Sequence, residues 1–265
     1  MTLKVALHGA AGRMGRALVQ MIHAASDLEL AGAVDSKDSP ALGRDAGELA
    51  GIGALGWPVT ASLEALASAD VVIDFSLPVA IDALLEAVVR YSRPLVLATT
   101  GLSSAQWTHV DQAARSVPIV AAPNYSTGVA VLYHLAERAS ALLAEFDLEI
   151  VEMHHRNKVD APSGTALGLA EAAAHGRNLA AREHAVYGRE GHPGARTKDE
   201  IGVMTLRGGD VIGDHTLILA GSGERLELAH KATSRELFAQ GALRAARWVP
   251  SQAPGRYTMK EVLGL

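Results

Sequence analysis

Short apolar runs alternate with helical patterns through the first half of the chain, and this alternation is the strongest constraint on its fold. After the first run, apolar side chains recur at helical spacing, as at Leu18, Met21 and Ile22. Short continuous apolar strands separated by helices are typical of a parallel sheet that is covered on both faces. The first half is therefore predicted to be an α/β domain whose strands are residues 3–8, 28–34, 71–75, 94–98 and 118–122.

The second half has a different pattern. Residues 129–145 and the stretch from Ser163 to about residue 175 are predicted helices, and residues 147–153 form a predicted strand. Three further strands with hairpin-like spacing are predicted, followed by a helix, at residues 201–207, 215–220, 225–230 and 234–249. This part is expected to be a second α+β domain with an open mixed sheet.

The composition limits the kinds of function. The chain has 265 residues, of which 49% are hydrophobic, and a net charge of −5, which gives no sign of nucleic-acid binding. The absence of cysteine excludes disulfides and thiolate chemistry. No apolar run approaches the length of a membrane span, and the N-terminus lacks the pattern of a signal peptide. A cytoplasmic globular protein is expected.

Three glycines follow the first predicted strand and open the first helix. Gly9, Gly12 and Gly15 allow a tight turn and a close approach of the backbone to a pyrophosphate at the helix N-terminus. Asp35 ends the second strand, where an acidic group binds the adenosine ribose. Arg13 could add positive charge near the phosphates. The pattern predicts a Rossmann-type dinucleotide site, although its spacing departs from the usual one and glycines also occur in purely structural turns.

The choice between NADH and NADPH stays open at this point. Asp35 favours a free ribose 2′-hydroxyl and repels a 2′-phosphate. Lys37 could offset that repulsion or be an ordinary surface lysine, and Ser36 could bind either form. Residues 99–101 and 124–126 follow predicted strands and are expected at the nicotinamide end of the cofactor.

The segment of residues 152–166 concentrates chemically active side chains. His154 and His155 end a predicted strand and should point to opposite sides, and Lys158 follows in a loop. Ser163 is a good N-cap, so the next amides can form an anion site. A structural histidine pair is one alternative interpretation. A metal site with Glu152 or Asp160 is disfavoured, because adjacent strand side chains diverge and the lysine would repel a cation.

Two motifs together carry a family resemblance. The pattern Glu152-x-His-His-x-x-Lys158-x-Asp-Ala-Pro-Ser-Gly-Thr165, with Gly9-Ala-Ala-Gly-Arg-Met-Gly15, resembles the dihydrodipicolinate reductases of lysine biosynthesis. The likeness extends over essentially the whole chain. It implies reduction of a small cyclic imine dicarboxylate by NADH or NADPH, with hydride delivered to C4. It also implies a dinucleotide domain of residues 1–125 and 236–265, and a substrate and oligomerisation domain of residues 126–235.

The resemblance assigns a role to each matching residue. It implies that His154 is the general acid and that Lys158 assists as a second proton donor. Substrate contacts fall on His155, Gly164 and Thr165, and no metal is implied. Cofactor contacts fall on Gly9, Ala10, Ala11, Gly12, Arg13, Met14, Asp35, Ala98, Thr99, Thr100, Ala122, Pro123, Asn124 and Tyr125.

Two departures from the family pattern concern the cofactor. Ala98 stands where a glycine is common, and Ser36 stands where an arginine often selects NADPH, which favours good use of NADH. The family is commonly homotetrameric, which predicts a homotetramer with neither a nucleic-acid nor a membrane partner. Two alternatives share the glycine turn. One is another nicotinamide dehydrogenase, which has no need for the His154–Thr165 segment, and the other is a non-catalytic NAD(P) sensor, which could lose His154 or Lys158.

Overall fold

The computed structural model describes residues 2–265, which form two compact units. The first comprises the chain up to Tyr125 together with Phe238–Gly264, and the second comprises Ser126–Leu237. The domain boundary expected from the sequence, residue 236, is the first residue of the helix Glu236–Trp248. In the structure, the first unit resumes at Phe238, two residues further along.

The first unit contains a six-stranded parallel sheet. Its strands are β1 (Leu3–His8), β2 (Leu28–Val34), β3 (Val71–Asp74), β4 (Leu95–Leu97), β5 (Pro118–Ala121) and β11 (Gly255–Tyr257), in the spatial order β11-β5-β4-β3-β1-β2. The helices are α1 (Arg13–Ala24), α2 (Ala46–Leu49), α3 (Ile81–Tyr91), α4 (Ser104–Ala113), α8 (Glu236–Trp248) and α9 (Met259–Leu263). The strand order reverses direction between β1 and β3, and ligands of such sheets bind beyond the strand ends at that point.

The core of this unit explains why the strands are continuous apolar runs. Every residue of β3, β4 and β5 is buried, because helices cover both faces of a parallel sheet. Large side chains such as Ile73, Leu84 and Ile119 are fully buried. Burial of side chains of this size stabilises a fold by about 1.5–3 kcal/mol each.

The second unit contains a five-stranded mixed sheet in the order β10-β9-β6-β8-β7. The strands are β6 (Asp147–His154), β7 (Ala185–Val186), β8 (Ile201–Arg207), β9 (Gly213–Ala220) and β10 (Arg225–Ala232), and the helices are α5 (Thr127–Leu142), α6 (Gly164–Gly176) and α7 (Ala181–His184). Side chains of β6 alternate strictly between the buried and the half-exposed face, and α5 and α6 pack with the buried set. The predicted fold class, a parallel Rossmann-type sheet plus an α+β unit with a mixed sheet, is confirmed.

The hairpin-like reading of residues 201–207 and 215–220 is wrong. β6 lies between these two strands and pairs parallel with β8 and antiparallel with β9. The connection from β8 to β9 crosses the end of β6 instead, where Gly208 donates its amide to the His154 carbonyl and Arg156 donates to the Gly209 carbonyl. Local spacing could not reveal this, since the intervening strand comes from an earlier part of the chain. The pairing of β9 with β10 is a hairpin as predicted.

Candidate functional site

The glycine turn lies at the ends of β1 and β3. Gly9 has φ +82°, and a Cβ placed there would lie 2.5 Å from the Phe75 carbonyl oxygen. A Cβ on Gly15 would lie 2.3 Å from the Gly9 oxygen, so the start of α1 also depends on a missing side chain. Glycine is thus required at both positions, by backbone conformation at the first and by close packing at both.

Most amides of this turn are already engaged within the chain. Gly9 and Ala10 both donate to the Val34 carbonyl, Gly12 donates to the Gly9 carbonyl, and Ala11 donates to Asp35. Gly12 caps α1 without a side-chain hydrogen bond. The amides that remain available to bind an anion are those of the first turn of α1, which includes Arg13 and Met14.

Asp35 lies at the end of β2 beside a cavity of about 410 Å³. Its Oδ2 accepts a hydrogen bond from the Ala11 amide and its Oδ1 one from the Ser36 amide, each at 2.8 Å. The turn, Asp35 and the segment after β3 line the cavity, through His8, Gly9, Ala11, Gly12, Ser36, Phe75, Ser76 and Leu77 among others. The glycine turn, which leaves room for a phosphate, and the fixed Asp35 carboxylate lie on one concave surface, an arrangement that suits a dinucleotide.

The predicted nicotinamide-end residues differ in exposure. Thr99 is buried and its hydroxyl donates to Asp74 Oδ2 at 2.6 Å, whereas Thr100 is exposed and Ala98 is half-buried. Tyr125 is also buried, and its hydroxyl lies 2.9 Å and 2.8 Å from the Leu97 and Val120 carbonyls. Burial raises the pKa of this phenol well above its ordinary value. The Tyr125 side chain therefore holds the ends of β4 and β5, and a cofactor contact there would involve its backbone.

In the second unit, one buried carboxylate organises the histidine segment. Glu152 is fully buried at the end of β6, and its Oε2 lies 2.6 Å from Nδ1 of His154. Arg207 Nη1 donates to both Glu152 oxygens, at 3.0 and 2.9 Å. Thr205 Oγ1 and the Ser163 amide each donate to Oε1 at 3.1 Å. Burial alone would raise the pKa of Glu152, but these hydrogen bonds, led by that of Arg207, outweigh it and lower the pKa.

His154 is positioned by this carboxylate. Because an ionised carboxylate can only accept, Nδ1 of His154 donates and Nε2 is the nitrogen left for chemistry. A Cβ on Gly213 would lie 3.0 Å from that Nε2, so the glycine keeps the space beside it open. Burial lowers the pKa of His154 below 6.5 and outweighs the opposing effect of Glu152. The result is an imidazole of fixed orientation whose Nδ1 is held by Glu152 and whose Nε2 is not.

A second buried histidine lies against the first. The rings of His154 and His215 are edge to face, with centroids 5.2 Å apart. His215 Nε2 shares a hydrogen bond of 2.9 Å with the Ser163 hydroxyl, which also caps α6 by accepting from the Ala166 amide. Burial lowers the pKa of His215 to about 4, so this ring is neutral near pH 7.

Lys158, which is half-buried, and the start of α6 belong to the same segment. Lys158 Nζ contacts both Asp160 oxygens at 2.8 Å, and this ion pair lowers the pKa of Asp160. Gly164, the first residue of α6, is exposed, and no atom lies within 4 Å of the place its Cβ would take. Arg235 Nη2 lies 3.4 Å from Nε2 of half-exposed His155. The structure thus brings cationic groups and a helix N-terminus into the unit that carries His154.

Sequence reasoning missed three of these groups. His215, Thr205 and Arg207 lie on the same sheet face as Glu152, as the strand register shows. The sequence signal that could have indicated His215 is a polar residue at a buried position of an alternating strand, because His215 continues the buried series of Leu217 and Leu219. Its partners come from other strands, so the role of His215 could not follow from local sequence.

Neither a metal-binding cluster nor a membrane-spanning helix is found within residues 2–265. In that part of the chain, no three histidine, aspartate or glutamate side chains converge in a way that could hold a metal ion. None of the helices described there is long and apolar enough to cross a membrane.

Known proteins match both units. Family models described as the N-terminus and the C-terminus of dihydrodipicolinate reductase match residues 3–125 and 128–263. The 4-hydroxy-tetrahydrodipicolinate reductases of Alkalilimnicola ehrlichii and Halorhodospira halophila are 52% and 50% identical, each over 100% of both chains.

Solved structures show the same fold. A dipicolinate-bound dihydrodipicolinate reductase from Paenisporosarcina sp. TG-14 is 25% identical, with a TM-score of 0.76 over 97% of this chain and 98% of that one. GenD2 from gentamicin A biosynthesis, solved with NAD, shares the fold at 15% identity and a TM-score of 0.57, covering 99% of this chain and 87% of that one. The matches in sequence and structure show that the chain belongs to the dihydrodipicolinate reductase family.

Proposed function

We propose that this chain reduces 4-hydroxy-tetrahydrodipicolinate to tetrahydrodipicolinate with NADH or NADPH, in the diaminopimelate route to lysine. The observation that carries the proposal is the Glu152 carboxylate, which binds both the His154 ring and the Ser163 amide at the start of α6. One buried group thereby joins a proton donor to an anion site. The full-length relatives that bear this enzyme's name support the same reaction.

The reaction needs one proton at the substrate ring. Loss of the 4-hydroxyl group as water leaves a conjugated C=C–C=N system, and a reduced nicotinamide dinucleotide, held by the glycine turn and Asp35, would supply a hydride to C4. The electron pair displaced by that hydride must then be quenched by a proton. His154 donates it from Nε2, while Glu152 stabilises the charged ring before transfer and fixes its orientation. Lys158 assists as a second donor.

The substrate carries two carboxylates, and the second unit carries matching groups. Gly164 and Thr165 open α6, whose N-terminus favours an anion. Lys158 can exchange its contact with Asp160 for a substrate carboxylate. Arg235 supplies a further cationic contact, and His155 lies beside it.

The cofactor is a nicotinamide dinucleotide, and we infer that NADH is used well. Both Asp35 oxygens are held by backbone amides, so the carboxylate stays at the end of β2, where it would repel a 2′-phosphate. Lys37 is exposed and can partly offset this repulsion. Asp35→Ala should therefore reduce kcat/KM for NADH more than for NADPH, and Lys37→Ala should reduce it mainly for NADPH.

A homotetramer in the cytoplasm, where reduced nicotinamide nucleotides are supplied, completes the proposal. The sheet face opposite α5 and α6 carries Val151, Met204, Leu206 and Ile218, and Leu206 is 50% exposed. A second sheet of this kind could cover such a face. Light scattering should give about four times 27.7 kDa, and a monomer would contradict the assembly.

The proposed function is tested by following oxidation of NADH and of NADPH when the product of dihydrodipicolinate synthase is supplied fresh. Oxidation that depends on this substrate is expected with at least one cofactor. Absence of oxidation with both would reject the reaction.

A further inference from the structure

A second buried carboxylate–histidine pair lies in the first unit. β1 and β3 end side by side at His8 and Asp74, which are register partners at the point where strand order reverses. His8 Nδ1 lies 2.7 Å from Asp74 Oδ1, and Asp74 is fully buried. The Asp74 carboxylate also accepts the Thr99 hydroxyl at 2.6 Å and the Ser76 amide at 3.2 Å.

This arrangement leaves one nitrogen of His8 for a ligand. The carboxylate of Asp74 accepts, so Nδ1 carries a proton and Nε2 is the other ring nitrogen. His8 is only 7% exposed, yet it lines the 410 Å³ cavity together with Gly9, Gly12 and Asp35. His8 therefore forms part of the wall of the same cavity as the glycine turn.

A donor from His8 would add to the few groups of the cavity wall that can bind an anion. The amides of residues 9–12 are engaged by Val34, Gly9 and Asp35, which leaves the first turn of α1 to bind a phosphate group. The other charged side chains lining the cavity are Asp35, from the end of β2, and Arg16 of α1, whose Nε is bound to the Ala11 carbonyl. A protonated imidazole backed by Asp74 would add a positive charge opposite a dianionic pyrophosphate.

We infer that His8 is a cofactor-binding residue whose protonated Nε2 donates to the phosphate-bearing part of the dinucleotide, so that cofactor binding takes up a proton. The inference rests on the proposed function only in taking a nicotinamide dinucleotide as the ligand. It assigns Asp74 as a positioning residue that orients the ring and compensates its charge.

The test measures NADH binding by calorimetry without substrate, at about pH 6.5 and about pH 8.5, in buffers of different ionisation heat. Wild-type protein should take up protons and bind more tightly at the lower pH. His8→Asn should bind about tenfold more weakly at the lower pH, with a smaller loss at the higher pH, and should lose the proton uptake. His109→Ala is the matched control, because His109 pairs with Asp82 at 2.8 Å on the surface outside this cavity. It should behave as wild type.

Equal affinity and equal proton uptake in wild type and His8→Asn would overturn the inference, as would the absence of uptake by wild type. If His8→Asn does not fold, ring-nitrogen NMR of wild type decides. A histidine that becomes doubly protonated on addition of NADH supports the inference, and unchanged histidines overturn it. If neither NADH nor NADPH binds, the proposed function itself fails. If the reductase works without proton-linked binding, only the role of His8 fails.

Discussion

The Glu152 carboxylate lies 2.6 Å from Nδ1 of His154 and is itself fully buried. The same carboxylate holds Arg207, Thr205 and the Ser163 amide, so the orientation of the imidazole and the start of α6 depend on a single side chain. A buried carboxylate with this many donors stays ionised, so it accepts the Nδ1 proton of His154 and leaves Nε2 as the ring nitrogen that Glu152 does not bind.

Glu152→Gln should damage both stability and catalysis. The change removes the charge opposite Arg207, and breaking a buried ion pair costs about 3–5 kcal/mol. kcat should fall and KM should rise, because the amide has one acceptor oxygen in place of the two that bind the ring and the α6 N-terminus. Denaturant unfolding and steady-state kinetics measure the two effects. Glu149→Gln is the control, since Glu149 lies on the opposite face of β6 and pairs with Arg189. Equal effects of the two substitutions would contradict the role of Glu152.

The ionised Glu152 also predicts a pH dependence of stability. Its pKa is lowered from 4.5, so its contribution is complete above about pH 4.5 and is lost as pH falls through the lower, folded-state value. The melting temperature of wild type should therefore drop more steeply below about pH 4.5 than that of Glu152→Gln. Parallel curves for the two proteins would show that Glu152 does not titrate in this way.

His215 should make the protein sensitive to milder acid. Burial lowers its pKa from 6.5 to about 4. Between these two pH values, His215 is therefore protonated in the unfolded chain but neutral in the folded one. Stability should therefore fall as pH decreases from about 6.5 towards 4, by roughly 3 kcal/mol in total. His215→Gln should remove this part of the loss. His175→Gln is the control, because the His175 side chain is 78% exposed, and it should leave the profile unchanged.

Gly9→Ala should abolish cofactor binding and destabilise the first unit. The new methyl group would lie 2.5 Å from the Phe75 carbonyl oxygen, which is too close for any Cβ. Gly43→Ala separates this clash from backbone strain, because Gly43 has φ +78° and no atom within 4 Å of the same position. NADH titration and thermal unfolding should show a much larger effect at Gly9. Similar effects at both glycines would show that glycine is required at position 9 for its backbone conformation alone.

The sequence predicted the elements that depend on local pattern. The bounds of β1 and β2 agree with the predicted residues 3–8 and 28–34, because continuous buried strands leave unbroken apolar runs. β11 was missed, since Gly255–Tyr257 is short and only half-buried and joins the sheet through parallel pairing with β5. The order of β6, β8 and β9 depends on long-range pairing that no local spacing records.

Some residues of the candidate site could likewise be predicted from local sequence, whereas others depend on the fold. The motif itself singled out His154, Lys158 and the Ser163 cap, because these residues lie close together in the sequence. The partners of Glu152 come from β8 and from the residue before α6, so its organising role emerged only from the fold.

The most direct measurement is the turnover of His154→Ala with fresh substrate and saturating NADH. kcat should fall by about 100-fold or more while circular dichroism and NADH affinity stay unchanged, because only the proton donor is removed. His175→Ala, an exposed histidine that also pairs with a glutamate, should retain full turnover. Near-wild-type kcat for His154→Ala would contradict the assignment of proton transfer to the Glu152–His154 pair.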